Sequence, residues 1–301
     1  MINVTWIDSF RLRARAGGIK AGWAASTRPG VAFHELPQAT LRVRTGGTRK
    51  AGEPTVVMVC DPPNVIEHFD AVFEMLSPHH RVVVFEPPGF GFSSPRASFR
   101  FTFDEYRASI EDLLRKLDEG PYVLAFTCVW AHIALQIAAK DPGQVAKLML
   151  WQSPSWDQQV NWAREVDKKK LISRPVLGQL ATAMKPEKIG LGWYRASLAK
   201  NRYSDFMPTL DQALKQGAFC CLGSLWQQWF YGYTPPPVRV QQPTLVTWGL
   251  ADRTHARSDK DSIGSHLTQA KWHTFQHAGH SPELEASQEY CELLRGWLKE
   301  A

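Results

Sequence analysis

Short valine-rich runs that alternate with helix-like stretches constrain this 301-residue chain more than any other feature. Thr55 to Val59 and Arg81 to Phe85 have the length and valine content of strands buried on both faces, and Tyr122 to Ala125, Val145 to Trp151 and Thr244 to Trp248 also read as strands. Val31 to Leu36 and Ala39 to Arg44 add two strands before the turn Gly46-Gly47, and Lys271 to Phe275 adds a weaker one. The intervening segments carry helical periodicity. Val65 to Leu76 reads as a helix. Thr102 and Glu105 form a capping box ahead of Tyr106, Ile110, Leu113, Leu114 and Leu117 at helical spacing. Ala131 to Lys140 is stopped by Asp141-Pro142-Gly143, and a last helix presents Tyr290, Leu293, Leu294, Trp297 and Leu298 on one face. This order predicts an α/β fold, a mostly parallel sheet with helices on both faces.

From about Ser153 to Arg239 the pattern becomes helical, with Pro175, Pro186 and Pro208 as interruptions. The expected organisation is an α/β core over 28–152 and 241–301, an inserted helical cap over 153–240, and an N-terminal extension over 1–27. Arg11, Arg13 and Arg15 give the extension a faint transit-peptide character, but it reads as a solvated tail.

Hydrophobic residues at 44% and charged residues at 21% describe an ordinary globular chain. No apolar run approaches the ~20 residues of a membrane helix, so no membrane partner is expected. The net charge of +6 is spread along the chain, with a run only at Lys168 to Lys170, and does not suggest a nucleic-acid partner. A solvated helix face accounts for those lysines, although a mildly basic surface also suits an anionic substrate or an acidic carrier. The five cysteines, Cys60, Cys128, Cys220, Cys221 and Cys291, show neither metal-ligand spacing nor a disulfide framework. A cytoplasmic protein without metal or cofactor is expected.

Chemistry concentrates at Phe126-Thr127-Cys128-Val129-Trp130, between a strand and a helix. A nucleophile at such a turn adopts a strained backbone, and its neighbours are normally glycines in a Gly-x-Ser-x-Gly pattern. Here the glycines are replaced by Phe126 and Trp130 and the serine by Cys128. Those aromatics must widen the strand–helix gap or project into a pocket.

With this turn, three further segments resemble the α/β-hydrolase superfamily from about residue 30 onward, in the style of its capped, epoxide-hydrolase-like or lipase-like branch. Glu86-Pro87-Pro88-Gly89-Phe90-Gly91-Phe92-Ser93 is similar to the segment after the fourth strand, Trp248-Gly249-Leu250-Ala251-Asp252 to the strand end bearing the acid, and Gly279-His280-Ser281-Pro282 to the histidine loop. The resemblance implies Cys128 as nucleophile, His280 as base and Asp252 as the group that orients it, with His277 a less favoured base. Cys128 also reads as a small buried apolar residue.

The family's His-Gly-x-Pro stretch, whose x supplies one oxyanion donor, aligns with Cys60-Asp61-Pro62-Pro63-Asn64. Neither Pro62 nor Pro63 has an N–H to give. The Asn64 side chain is the candidate replacement, beside the Val129 N–H. Trp226, Trp229, Phe230 and Tyr233 form a helical stripe that packs cap against core or lines an apolar site. Asp61, Glu86 and Asp157 are further candidates to face the pocket.

The expected activity is acyl transfer or hydrolysis through a Cys128 thioester. Its substrate is a small-molecule ester or thioester, carried on CoA or a carrier protein, as in the acyl and aminoacyl shuttles of natural-product assembly. The alternative is a non-hydrolytic descendant that binds a ligand or moves a proton without a covalent intermediate.

Overall fold

The computed structural model describes residues 4–16 and 28–300. Its sheet contains β1 (Val31–Glu35), β2 (Ala39–Gly46), β3 (Thr55–Val59), β4 (Val82–Phe85), β5 (Tyr122–Thr127), β6 (Val145–Trp151), β7 (Thr244–Gly249) and β8 (Ala270–Phe275) in the order β1-β2-β4-β3-β5-β6-β7-β8. The six strands from β3 to β8 are parallel and β2 runs antiparallel to both its neighbours. This is the α/β-hydrolase fold expected from the sequence.

The helices are α1 (Trp6–Ala16), α2 (Asp70–Leu76), α3 (Phe103–Leu117), α4 (Trp130–Lys140), α5 (Trp156–Val166), α6 (Leu177–Met184), α7 (Pro186–Ser197), α8 (Tyr203–Lys215), α9 (Leu222–Phe230), α10 (Pro282–Glu285) and α11 (Ser287–Leu298). Alternating strand residues feed two separate cores. Val57, Val59, Val83, Phe85, Leu124 and Phe126 meet α3 and α4 on one face. Val56, Met58, Val82, Val84, Val123 and Ala125 meet α2 and α11 on the other. A buried side chain of this size contributes ~1.5–3 kcal/mol, and a one-residue slip would exchange every one between faces, so the register is strongly specified.

The capping box forms as read: Thr102 Oγ1 accepts from Glu105 N at 3.3 Å, and Thr102 N donates to Glu105 Oε2 at 3.2 Å. The helix expected from Val65 instead begins as a 3₁₀ turn, Ile66–Phe69, before α2. Its first donors are taken by side chains, Val65 N by His68 Nδ1 and Ile66 N by Glu86 Oε1, each at 3.1 Å, which tightens the turn. β2 also runs two residues beyond Arg44.

The described part of the N-terminal segment is not a solvated tail. Val4, Asp8 and Leu12 are buried, and Asp8 Oδ2 accepts from Ser224 Oγ on α9 at 2.7 Å. Residues 1–3 and 17–27 lie outside the described residues, and nothing is assigned to them. Helices α5 to α9 lie between β6 and β7, and Phe219–Cys220 pairs antiparallel with Phe90–Gly91, tying that insertion to the loop after β4.

A buried ion cluster fixes this loop and the one after β3. Arg42 pairs with Glu86 at 2.9 Å and with Glu67, while Glu86 accepts from Phe92 N at 2.6 Å. Gly91 has φ +55°, and a Cβ there would fall 2.3 Å from the Glu86 carboxyl, so the close approach requires glycine. The loop after β3 that carries Asp61 is thereby held against β4.

Candidate active site

Cys128 sits where β5 turns into α4, with φ +52°, the left-handed conformation demanded by the strand-to-helix turn. Its N–H donates to Trp151 O at 2.9 Å, and Ser153 Oγ donates to its carbonyl at 3.1 Å, so the turn is tied to the end of β6. The two aromatics of the turn behave differently from one another. Phe126 follows the strand alternation into the α3/α4 core, 5.9 Å from the Phe85 ring, and does not line the cavity expected of it. Trp130 packs on Tyr106 and Trp229 at centroid distances of 5.4 and 5.3 Å. Its Nε1–H donates to Asp61 Oδ1 at 2.9 Å, so the residue that displaces the second glycine also anchors a carboxylate at the site.

His280 follows β8 on a loop held by its own N–H, which donates to Ser197 O at 2.9 Å. Glu285 supports the same loop by accepting from Gly279 N and Ser281 N at 2.9 and 3.1 Å. His280 Nδ1 contacts Asp252 Oδ2 at 2.7 Å. Asp252, at the end of β7, also accepts from Thr254 N at 2.8 Å and from Gln152 Nε2 at 2.9 Å. Burial works against the Asp252 charge, but the His280 charge and hydrogen bond, with those of its other neighbours, hold its carboxyl below the usual range.

On the opposite edge of the imidazole, Nε2 lies 3.3 Å from Asp61 Oδ2. Cys128 Sγ, an imidazole nitrogen and an Asp61 oxygen all fall within 4.8 Å of one another. Burial disfavours the His280 cation, but two carboxylates outweigh it and raise its pKa well above the ordinary imidazole value. Burial raises the Cys128 thiol, and the His280 and Val129 backbone N–H contacts only partly oppose this. The imidazole thus sits between the Asp252 and Asp61 carboxylates, with the Cys128 thiol beside it.

A cavity of about 480 Å³ opens above Cys128 and Asp61. Val129, Trp130, Trp162, Trp193, Trp226 and Phe230 contribute much of its wall, and Pro62, Pro63 and Asn64 its rim beside Asp61. Asn64 Oδ1 accepts from Tyr194 OH at 2.8 Å, which leaves the amide nitrogen as that side chain's donor. Trp229 turns away from the cavity into the cluster of Phe103, Tyr106 and Trp130, and Tyr233 lies beyond the end of α9, stacked 5.2 Å from Phe103. The expected four-residue stripe is thus two cavity residues and two packing residues. His277 and Asp157 are exposed, and Glu86 is engaged by Arg42, so none of the three serves the site.

Several neighbours were not anticipated. Gln159 Nε2 lies 3.5 Å from Cys128 Sγ. His255 is stacked against both Trp162, at 4.9 Å, and His280, at 5.5 Å. Burial depresses its pKa to about 3, so it contributes a neutral ring. Gln152 bridges Asp252 to Gly249 N. None has a local sequence signature, because each acts across a long separation in the chain.

A family model described as the alpha/beta hydrolase fold matches residues 63–287. The proline iminopeptidase of Lactobacillus crispatus (strain ST1) is 37% identical over 68 residues, and the chain spans only 23% of that relative's length, as the relative spans 23% of this chain. The Bacillus megaterium epoxide hydrolase structure, in complex with an inhibitor, is similar with a TM-score of 0.66 at 16% identity, covering 89% of this chain and 100% of that one. A haloalkane dehalogenase loop variant from Bradyrhizobium elkanii is similar with a TM-score of 0.71 at 12% identity, over 89% and 95% of the two chains. At these identities the structural likeness is one of fold.

Proposed function

We propose that this chain, which belongs to the α/β-hydrolase-fold family, carries an acyl group on Cys128 as a thioester and passes it to water or to a second nucleophile. The observation that carries this reading is the placement of the Cys128 thiol on a positive-φ turn at the cavity floor, beside an imidazole oriented by Asp252. The sulfur attacks the donor's carbonyl carbon. The new S–C bond forms as the bond to the leaving thiol or alcohol breaks, and the Cys128 proton reaches the leaving group through the His280 and Asp61 pair.

The oxyanion donors narrow the substrate class. Val129 N–H remains beside Cys128, and the Asn64 amide is the other candidate, since Pro62 and Pro63 have no N–H. Losing one such donor costs ~2.7–4 kcal/mol of transition-state stabilisation, which reactive thioesters tolerate better than amides. The cavity is of ordinary small-molecule size and mostly apolar, suited to an acyl chain or ring delivered on CoA or a carrier protein. An acyl or aminoacyl shuttle fits this description.

One observation favours a second reading. Asp61 brings a carboxylate to the edge of the imidazole that a nucleophile's base must keep available. A non-covalent enzyme or binding protein would use the Asp61–His280 pair for proton transfer and leave Cys128 as a bystander. Intact-protein mass spectrometry with a panel of acyl and aminoacyl thioesters separates the two. The acyl reading expects a hydroxylamine-labile adduct that Cys128→Ala abolishes. Turnover without any adduct, retained in Cys128→Ala and lost in Asp61→Asn, would establish the non-covalent one.

A further inference from the structure

The geometry points to a divalent-cation site made by Cys128 Sγ, His280 Nε2 and Asp61 Oδ2, matched to Zn²⁺, in which the cavity supplies the open fourth position. Thiolate, imidazole and carboxylate are the donors that zinc takes, and three protein ligands with one open position is its catalytic-type arrangement. The three donor atoms already lie within 4.8 Å of one another, and the nitrogen and carboxylate oxygen are at 3.3 Å, close to the spacing of two ligands on a tetrahedral ion. His280 Nε2 is buried and completes no well-directed hydrogen bond, Asp61 being its near neighbour without the alignment of one.

The surrounding contacts are those that orient ligands. A zinc-bound histidine characteristically gives its other ring N–H to a carboxylate, and His280 Nδ1 meets Asp252 Oδ2 at 2.7 Å. The Asp61 carboxylate is fixed through its other oxygen by Trp130 Nε1–H at 2.9 Å, leaving Oδ2 turned toward the imidazole. A nucleophile, histidine and acid set needs no second carboxylate, whereas a metal site needs a third ligand and Asp61 provides it. The three residues come from the ends of β3, β5 and β8, 61, 128 and 280 in the chain, which is why the cysteine spacing carries no metal signature.

Binding replaces the thiol proton and the Nε2 proton by the ion, so a bound cation and an acylated Cys128 are mutually exclusive. That exclusivity rests on the acyl reading of Cys128, while the cation site itself does not. The probe is Co²⁺ added to the full-length protein after chelator treatment, read by sulfur-to-metal charge-transfer and visible ligand-field absorption, with Zn²⁺ as competitor. The expected result is one equivalent bound with a tetrahedral spectrum that Zn²⁺ displaces. The charge-transfer band disappears in both Cys128→Ala and Cys128→Ser, at least one of which is checked to be folded by circular dichroism. Asp252→Asn lowers the Co²⁺ affinity ~10–100-fold. A wild-type protein that gives no such band, or a band that survives loss of Cys128, overturns the site. A thioester adduct without cobalt binding removes the cation site and keeps the acyl reading, and cobalt binding without any adduct does the reverse.

Discussion

Replacing Trp130 by Phe tests whether the aromatic at the turn anchors Asp61 or merely fills space. The indole Nε1–H donates to Asp61 Oδ1 at 2.9 Å, with Trp130 0% and Asp61 6% exposed. A hydrogen bond to a charged group contributes ~1.5–3 kcal/mol, and its loss leaves a buried carboxylate one donor short. The smaller ring also withdraws from Tyr106 and Trp229, a loss of about 1–2 kcal/mol if it is equivalent to one or two buried methylene groups. Together these give a destabilisation of about 2.5–5 kcal/mol in urea unfolding. A double-mutant cycle with Asp61→Asn isolates the polar part, because the packing loss is common to both backgrounds. The expected coupling is ~1.5–3 kcal/mol. Coupling indistinguishable from zero would refute the anchor and return Trp130 to the role of core filler.

Other consequences are equally direct. Burial depresses the His132 pKa from 6.5 to about 3, with the nearby His266 adding to the effect and a hydrogen bond to Pro154 O opposing it. The unfolded state therefore binds one more proton across this window, and the associated stability, present above pH ~6.5, is lost at ~1.4 kcal/mol per pH unit as pH falls toward about 3. His132→Gln should reduce the slope of stability against pH by that amount in denaturant titrations from pH 6.5 to 4.5. Gly249→Ala would place a Cβ 1.9 Å from the backbone oxygen of Gly279, and should destabilise by ~1–3 kcal/mol or more while displacing the His280 loop from Asp252, read by unfolding and by loss of activity. Glu285→Gln keeps one acceptor oxygen for Gly279 N and Ser281 N but turns its amide donor on Ala199 N, and should cost ~1.5–3 kcal/mol in urea unfolding.

The succession of strands along the chain and the placement of Cys128, Asp252 and His280 near strand ends were legible because each lies inside a contiguous segment whose pattern local backbone geometry dictates. Positive φ at 128 and the fit of Gly249 under the histidine loop are demands of that kind. Side-chain direction was not legible in the same way. Phe126 and Trp130 look equivalent as replaced glycines, yet strand alternation sends Phe126 into the core, while Trp130, at the start of α4, reaches Asp61, 69 residues away. Helical spacing grouped Trp226, Trp229, Phe230 and Tyr233, but it specifies neither where α9 ends nor which flank faces the cavity. Asp61 stood out as part of a degraded oxyanion segment and, with Glu86 and Asp157, as a carboxylate that could face the pocket, but not as a partner of His280. Its role beside His280 depends on the approach of β3, β5 and β8, which no single segment encodes.

The most direct measurement is peptide-level localisation of the acyl group after brief exposure of the protein to a reactive acyl thioester. The Cys128 mechanism expects a hydroxylamine-labile adduct on the peptide containing Cys128, absent from those of Cys60, Cys220, Cys221 and Cys291, and loss of turnover in Cys128→Ala. Acylation confined to another residue, or full turnover by folded Cys128→Ala, would contradict it.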